Sequence, residues 1–389
     1  MKPSSNKNTS VFLDRDLSRA ETLRRGECVG HKERIDRKDW KCVKLGDVLK
    51  VCHGKCQHSI ESKTGKYPIL ATSGEIGRTD QFLYDKPSVL IGRKGTIDKP
   101  QYINTPFWTI DTLFYTKVAD GYSPKFMFYL CKMIDWASLN EASGVPSLSA
   151  NRIESLEVCV PQDLDKQLRI VKSLDAVESH INALRALISK YDAIKKATVK
   201  LLLKPKDGWH QIRLGDIGEV SMCKRILKNQ TSATGDVPFY KIGTFGKQPD
   251  AYISRPLFED FKKRFSYPKV GDVLLSAAGT IGRTVVFTGE DAYFQDSNIV
   301  WIANDETILS NRFLNVIYSQ LDWQTENGGT VSRLYNANIR DTIISIPNLN
   351  AQKRIVTILD SIDNTLKSLK AQLEKSQAIK QGMMTYFFG

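Results

Sequence analysis

Cysteine and histidine side chains come closest together along the chain in the run Cys52-His53-x-x-Cys56-x-His58, with Cys28-x-x-His31 upstream. Thiolate and imidazole are the ligands that structural zinc prefers, so this run is a candidate zinc site. Its spacing is irregular, and free thiols explain the same residues. Seven cysteines, an odd number, favour free thiols in a reducing compartment over a disulfide framework. We therefore predict no bound metal and no cofactor.

The residue patterns of catalysis are missing from the sequence. Gly92-Arg-Lys-Gly-Thr96 has the residue types of a phosphate-binding loop, but in the wrong order. Neither the Asn/Asp-Pro-Pro-Tyr motif of adenine methyltransferases nor a Phe-x-Gly-x-Gly cofactor loop occurs. The chain is therefore predicted to be non-catalytic, which disfavours a nuclease or methyltransferase that acts by itself.

Basic and aromatic residues in glycine-rich loops are the candidates for contact with double-stranded DNA. Arginine can grip guanine with two hydrogen bonds, whereas lysine more often meets phosphate. The candidates in the first half of the chain are Lys55, Lys63, Lys66, Arg78, Arg93 and Lys94. Those in the second half are Lys224, Arg225, Lys228, Lys241, Lys262, Lys263, Arg264, Arg283, Arg333 and Tyr335. Any one of them is more simply a solvated surface residue, so the hypothesis concerns the set.

The overall composition supports a nucleic-acid partner only weakly. The net charge of +13 is spread along the chain, and residues 209–347 hold as many acidic as basic side chains. With 41% hydrophobic residues, 389 residues suffice for two or three domains. Neither a run of eighteen apolar residues nor a secretory signal occurs. We expect a cytoplasmic protein with no membrane partner.

A stretch of sequence that occurs twice is predicted to position the candidate DNA-contact residues. Gln167-Leu-Arg-Ile-Val-x-x-Leu174-Asp175 returns 185 residues later as Gln352-Lys-Arg-Ile-Val-x-x-Leu359-Asp360. Apolar residues continue both copies at steps of three and four, the spacing of a coiled-coil seam. The predicted core positions of this coiled coil are Ile170, Leu174, Val177, Ile181, Leu184, Ile355, Leu359, Ile362, Leu366 and Leu369. Each helix thus carries one narrow apolar stripe, and the two stripes are natural partners.

A globular segment with the same signals precedes each long helix. Trp40-x-x-x-x-Leu-Gly-Asp opens the first segment, and Trp209-x-x-x-x-Leu-Gly-Asp opens the second. Further matches are Gly95-Thr-Ile with Gly279-Thr-Ile and Asp111 with Asp296. Strands of a curved mixed sheet are predicted at Pro87–Ile91, Val270–Leu275, Val285–Phe287 and Ile299–Ile302, and short helices at Ser123–Leu139 and Ser310–Thr325.

These signals predict five segments and a geometry. The segments are a polar N-terminal arm at 1–39, a first domain at 40–160, a helical spacer at 161–208, a second domain at 209–347 and a distal helical spacer at 348–389. The first helix delivers the chain into the second domain, and the second helix must travel back to pair its stripe. The predicted fold is α+β, with two similar mixed α/β domains separated by an antiparallel coiled coil of two long helices. It is pseudo-twofold symmetric, and its C-terminus finishes near Trp40.

The doubled helices, the doubled openings and the run Gly271-Asp-Val-Leu-Leu-Ser-Ala-Ala-Gly-Thr-Ile-Gly282 resemble the specificity subunit of type I restriction–modification systems. The likeness covers about Trp40 to Phe388, everything except the arm. The first domain departs from the pattern, because it has Leu90-Ile-Gly-Arg-Lys94 where the second has Leu274-Leu-Ser-Ala-Ala278.

The resemblance implies a DNA-recognition function. In that family, two target recognition domains each read half of a split, asymmetric DNA site. The helical spacers dock two copies of a methyltransferase subunit, to which restriction subunits are added. A coiled-coil adapter, with two domains that bind proteins or ligands and no DNA, is the alternative. It predicts binding that ignores DNA sequence.

Overall fold

A computed structural model describes residues 37–323 and 333–389 of the chain. Most of the polar arm and the loop at 328–332 lie outside these residues. The described chain divides into two compact units. Unit 1 comprises residues 37–186 and 371–389, and unit 2 comprises residues 187–370. The division falls inside two long helices, so each unit contains part of both.

The strands of the described residues follow the same order in the two units. The α-helices are α1 (Leu45–Val48), α2 (Pro124–Cys131), α3 (Ala150–Glu154), α4 (Leu164–Leu202), α5 (Arg255–Arg264), α6 (Asn311–Tyr318), α7 (Asn336–Asp341) and α8 (Leu349–Phe388). The strands of unit 1 are β1 (Trp40–Lys44), β2 (Leu49–Cys52), β3 (Tyr67–Ala71), β4 (Gly74–Thr79), β5 (Ser88–Gly92), β6 (Gln101–Ile103), β7 (Trp108–Thr109), β8 (Leu113–Val118) and β9 (Glu157–Pro161). The strands of unit 2 are β10 (His210–Arg213), β11 (Val220–Ser221), β12 (Val237–Tyr240), β13 (Tyr252–Ile253), β14 (Val273–Ser276), β15 (Thr284–Val286), β16 (Tyr293–Phe294), β17 (Ile299–Ile302) and β18 (Ile343–Ile346).

Sheet topology is the same in both units. Unit 1 has a β1-β9 pair, a four-stranded sheet in the order β2-β8-β5-β6 and a three-stranded sheet in the order β4-β3-β7. Unit 2 repeats this with β10-β18, β11-β17-β14-β15 and β13-β12-β16. In each three-stranded sheet one strand pair is parallel, β3 with β7 and β12 with β16. Each unit therefore has three small sheets, whereas the sequence predicted one curved mixed sheet in each domain.

The opening tryptophans join the β1-β9 and β10-β18 pairs to the short helices α2 and α6. Trp40 meets Phe126 edge to face with ring centroids 6.4 Å apart, and Trp209 meets Phe313 at the same 6.4 Å. The predicted helix Ser123–Leu139 is shorter than expected, because α2 ends at Cys131 and only a 3₁₀ turn follows at Ala137–Leu139. Its counterpart α6 likewise ends at Tyr318.

The repeated Leu-Gly-Asp sequences form a tight corner after β1 and β10. Leu45 and Leu214 are fully buried. Asp47 Oδ2 accepts the backbone N–H of Lys44 at 3.1 Å, and Asp216 Oδ2 accepts the N–H of Arg213 at 2.9 Å. The carboxylate thus satisfies a donor that the turn would otherwise leave unpaired.

The repeated glutamine locks each long helix to its own unit. Gln167 and Gln352 have no exposed surface. Gln167 accepts the N–H of Ser123, the N-cap of α2, at 2.8 Å and donates to the carbonyl of Pro161 at 2.9 Å. Gln352 accepts the N–H of Ser310, the N-cap of α6, at 2.9 Å and donates to the carbonyl of Pro347, also at 2.9 Å. One side chain therefore ties together a strand end, a short helix and the long helix.

The aspartate that ends each repeat binds the same short helix farther along. Asp175 accepts the Tyr129 hydroxyl at 2.6 Å and pairs with Lys125 at 2.9 Å. Burial, followed by this hydrogen bond, raises the pKa of Tyr129 well above its usual range. Asp360 pairs with Arg312 on α6 at 2.5 Å. The Gln…Asp repeat is thus a structural clasp in both units.

Helices α4 and α8 run antiparallel inside each unit. In unit 1, Lys380 pairs with Glu178, and Met384 packs in one cluster with Ile170 and Leu174. Arg37 donates to the backbone carbonyl of Gly389 at 2.6 Å and lies over the Trp40 ring. The predicted return of the C-terminus to Trp40 is confirmed.

Unit 2 repeats the arrangement with the other halves of the two helices. Lys195 pairs with Asp363 at 2.5 Å, and Val199 packs in one cluster with Leu359. Eight of the ten predicted core positions are buried. Val177 and Ile362 are partly exposed.

One expectation about cysteine is wrong. Cys42 and Cys159 form a disulfide across the β1-β9 pair, where they lie directly opposite each other. The residues at the matching register of the β10-β18 pair are Gln211 and Ser345. The sequence separation of 117 hides this pairing, because only the strand register brings the two thiols together.

Candidate nucleic-acid interface

Four of the sequence candidates converge on one cleft in unit 2. The cleft has a volume of about 520 Å³ and lies beside the segment 295–298, which links β16 to β17. The basic residues that line it are Arg225, Lys228, Lys241 and Arg333. Arg225 and Lys228 follow β11, Lys241 follows β12, and Arg333 precedes α7. Residues far apart in sequence thus form one positively charged rim.

The polar residues of segment 295–298 form the other wall of the cleft. Arg225 Nε donates to Asp296 Oδ2 at 2.8 Å, and Arg333 Nη2 donates to the Ser297 carbonyl at 3.2 Å. Gln295 Oε1 accepts the N–H of Ile242 at 2.9 Å. Ser297 has a φ of 59°, a backbone conformation that non-glycine residues rarely adopt. Basic side chains are therefore held in place by a segment with an unusual backbone shape.

Asp296 is the anchor of this arrangement. Its side chain is only 15% exposed, whereas that of its partner Arg225 is 67% exposed. The carboxylate is thus inside and the guanidinium faces outward. A charge-assisted hydrogen bond of this kind restricts the position of the arginine side chain.

Unit 1 gathers three candidates around the matching segment 109–112. The backbone N–H of Lys55 donates to the Thr109 carbonyl at 2.8 Å, and those of Arg93 and Lys94 donate to the Thr112 carbonyl at 2.9 and 3.2 Å. Arg93 Nη1 also donates to the Asp111 carbonyl oxygen at 3.1 Å and to Oδ2 at 3.4 Å. Asp111 and Asp296, which the sequence pairs by their spacing, thus both hold an arginine.

The other unit 1 candidates surround the β3-β4 hairpin. Arg78 pairs with Glu75 at 3.0 Å and donates to the carbonyls of Gly65 and Lys66. The Lys66 ammonium lies 5.4 Å from the centroid of the Tyr67 ring, and Lys63 is exposed. Arg78 therefore stabilises the hairpin itself.

Three of the other six unit 2 candidates lie on α5. Lys262 packs over the rings of Phe258 and Tyr267, and Arg264 pairs with Asp260 at 2.8 Å. Lys263 is exposed on the same helix. The structure does not bring these α5 residues into the cleft lining.

Three further candidates have separate positions. Lys224 lies 5.2 Å from the centroid of the Phe265 ring, and Arg283 donates to the Phe245 carbonyl at 2.9 Å. Tyr335 is 47% exposed at the N-cap of α7.

Two amide side chains in the cleft were not among the candidates predicted from the sequence. Gln295 and Asn298 line it, and amides are the side chains that pair with adenine edges in DNA. The one available signal was their position beside Asp296, which the repeat marks as equivalent to Asp111.

The upstream Cys28 and His31 of the candidate zinc site lie outside the described residues. Among residues 37–323 and 333–389, no three His, Cys, Asp or Glu side chains are placed to hold a metal ion. His53 instead packs edge to face on Phe114, and Cys56 is exposed. Burial raises the pKa of the Cys131 and Cys223 thiols to about 12.

Membrane insertion finds no support in the helices. Among the helices of the described residues, none combines the length and apolar character needed to cross a bilayer.

Comparison with known proteins places both halves of the chain in one family. The family model of the type I restriction modification DNA specificity domain matches residues 37–190 and again 206–376. A Haemophilus influenzae protein, provisionally named a type I restriction enzyme specificity subunit, is 37% identical over 342 residues, which span 83% of this chain and 86% of the relative. The EcoDI specificity subunit of Escherichia coli is 21% identical over 160 residues, 41% of this chain and 35% of the relative.

Solved structures share the fold. The type I restriction–modification S subunit of M. genitalium superposes with a TM-score of 0.65 at 14% identity, over 92% of this chain and 98% of that one. A chain from a structure that describes complex assembly in a type I system gives 0.54 at 17% identity, over 90% and 96%. Together with the doubled family match, these findings show that the chain belongs to the type I restriction–modification specificity subunits, the non-catalytic component of those systems.

Proposed function

We propose that this chain reads a bipartite, asymmetric site in double-stranded DNA, with unit 1 and unit 2 each reading one half. The proposal rests on one observation: the same sheet topology occurs in both units, but the basic residues that each unit presents are different. Unit 2 has the cleft of Arg225, Lys228, Lys241 and Arg333, and unit 1 has the group around segment 109–112. Two unequal readers specify two different half-sites around an unread gap.

Affinity and specificity would come from different residues. Exposed lysines such as Lys228 and Lys241 meet phosphate, so binding weakens as salt rises. Base discrimination comes from the few side chains whose orientation is fixed by the protein. We place the protein in the cytoplasm, with the DNA that it reads.

The two long helices would act as a coiled-coil spacer and as the docking surface for other subunits. The boundary between the units falls inside α4 and α8, and each unit contains an antiparallel contact between them. We propose that this surface binds two methyltransferase subunits, to which restriction subunits are added. Chemistry then comes from those chains and sequence choice from this one.

The test is a map of methylated adenines in the host with the gene intact and deleted. The expected result is a split, asymmetric motif that disappears on deletion. An unchanged methylome, under conditions where the gene is expressed, contradicts the proposal and favours an adapter that ignores DNA.

Exchange of residues 209–347 for the matching segment of another specificity subunit tests the division of labour. One half-site should change and the other should stay. Lengthening α4 and α8 by one heptad each should widen the unread gap, whereas an unchanged gap would contradict the spacer role.

A further inference from the structure

In each unit, the arginine that is bound to the repeat-related aspartate, Asp296 or Asp111, keeps a complete pair of donors. In unit 2, Nε of Arg225 is bound to Asp296, which leaves the Nη1–Nη2 edge. In unit 1, Nη1 of Arg93, whose side chain is 31% exposed, donates to the Asp111 backbone carbonyl at 3.1 Å and to its carboxylate at 3.4 Å, which leaves the Nε–Nη2 edge. Within the described residues, neither free edge has another hydrogen-bond partner. Two parallel N–H donors match the O6 and N7 acceptors of guanine in the major groove.

The two arginines reach equivalent aspartates from different strands. Arg225 follows β11, whereas Arg93 follows β5. Unit 2 has Ala277 at the position that corresponds to Arg93. The clasp residues, by contrast, are identical in both copies. The two units therefore place an arginine at the matching aspartate from different strands, and the aspartate side chain is largely buried in unit 2 but exposed in unit 1.

Stability is a poor explanation of the Arg225–Asp296 pair. An ion pair with so exposed an arginine adds little to folding. The largely buried carboxylate instead restricts the position of a guanidinium that stands at the rim of a cleft. Gln295 and Asn298 line the same cleft and can contact a neighbouring base.

We propose that Arg225 and Arg93 each read a guanine in their own half-site, and that Asp296 and Asp111 are the positioning residues that hold them. This inference rests on the proposed function, because it assigns one base contact to each half of the split site. It predicts at least one G·C pair in each half. The cost of replacing that pair should be about 5- to 150-fold in relative affinity, the range of one bidentate contact.

The first experiment compares the methylomes of hosts that carry the complete system with R225K, R225A, R93K or R93A. Lysine keeps the charge but lacks the planar, rigid two-donor fork of the guanidinium, and alanine removes both. Each substitution should relax one guanine position in one half-site and leave the other half intact. R255K is the matched control, because Arg255 is also held by an aspartate, Asp291, in unit 2 but does not line the cleft.

The second experiment measures competition binding of the assembled complex to duplexes that carry 7-deazaguanine at single positions. Loss of N7 at the read guanine should weaken the wild-type complex about tenfold, the worth of one hydrogen bond to a charged donor. The R225K complex should show no further loss at that position. D296N should reduce the same discrimination without changing the melting temperature or the affinity for unrelated DNA.

The outcomes separate this inference from the function on which it rests. If exchange of residues 209–347 changes a half-site while R225K and R225A leave every guanine in it strictly required, the guanine assignment is wrong and the modular function stands. A unit 2 half-site without a G·C pair also overturns it. If no split motif depends on the gene, both fail. Arg225 is exposed, so assembly with the methyltransferase subunit checks that the variants fold.

Discussion

Unit 1 and unit 2 are the same scaffold with different surfaces. The clasp is identical in kind, since Gln167 and Gln352 make matching bonds at matching distances. The faces differ, because unit 2 has a helix, α5, between β13 and β14 where unit 1 has none among its described residues. Unit 1 alone has the Cys42–Cys159 disulfide. The glutamine clasp is therefore kept in both copies, whereas the disulfide and the helix α5 each occur in one described unit alone.

The largest effect should come from removing the clasp. Gln167→Ala leaves the Ser123 N–H and the Pro161 carbonyl without their partner in a buried site, and should lower the free energy of unfolding by about 3–5 kcal/mol. Gln352→Ala should do the same in unit 2. Hydrogen exchange should accelerate at the Ser123 amide in the first variant and at the Ser310 amide in the second.

The exposed neighbour Gln162 is the control for this pair, and Gln162→Ala should be close to neutral. Equal acceleration at both amides in either single variant would contradict the view that each clasp serves its own unit.

The second-largest effect should come from loss of the disulfide, and it should distinguish unit 1 from unit 2. Its reduction, or the double substitution Cys42→Ser with Cys159→Ser, should destabilise unit 1 by about 2–4 kcal/mol, because it releases a loop closed over 117 residues. Peptides of unit 2 should keep their hydrogen-exchange protection. Reductant should have no further effect on the double variant, and protection lost equally in both units would contradict the prediction.

A smaller effect should come from the glycines of the Leu-Gly-Asp corners. A Cβ at Gly46 would lie 2.9 Å from Cβ of Glu154, and one at Gly215 would lie 3.1 Å from Cβ of Arg340. Gly46→Ala should therefore lower the free energy of unfolding by about 1–3 kcal/mol, and Gly215→Ala by less, because the energetic cost of overpacking rises steeply as the atoms come closer. Chemical denaturation measures both, and the reverse order would show that the α3 corner relaxes more easily than the α7 corner.

The smallest expected effect concerns the reactivity of the thiols toward a labelling reagent. Thiolate is the reactive form, and at pH 8 a thiol with a pKa of about 12 is about 0.01% ionised. Iodoacetamide should therefore label exposed Cys56 in unit 1 and spare Cys131 and Cys223 in the native protein. Labelling of the two buried thiols should rise with pH. Peptide mapping decides, and rapid labelling of Cys223 at pH 8 would mean that the unit 2 core opens.

The sequence alone predicted the parts of the fold that depend on local pattern. The stripes, the two openings and the pairing of Asp111 with Asp296 could be found because a repeat marks them at a constant spacing. The role of Gln167 could not be found, because its partner Ser123 lies 44 residues away. The Cys42–Cys159 bond likewise depends on strand register.

The candidate interface was only partly predictable for the same reason. Residue type alone selects Arg93 and Arg225 together with residues such as Arg78. The Arg78 guanidinium instead donates to nearby backbone carbonyls beside its own hairpin. Composition cannot distinguish an arginine directed outward from one bound to its own backbone. The contacts and exposure of each arginine make that distinction, and they become visible only after folding.

The contribution of both chain ends to unit 1 has a consequence for synthesis on the ribosome. Met384 belongs to the buried cluster of unit 1, and Phe387 and Phe388 pack against it. Unit 2 is continuous from residue 187 to residue 370, so it can close before residues 371–389 have been made. Unit 1 is therefore completed after unit 2 although most of it is translated earlier, and its apolar face near Trp40 must wait for residues 371–389.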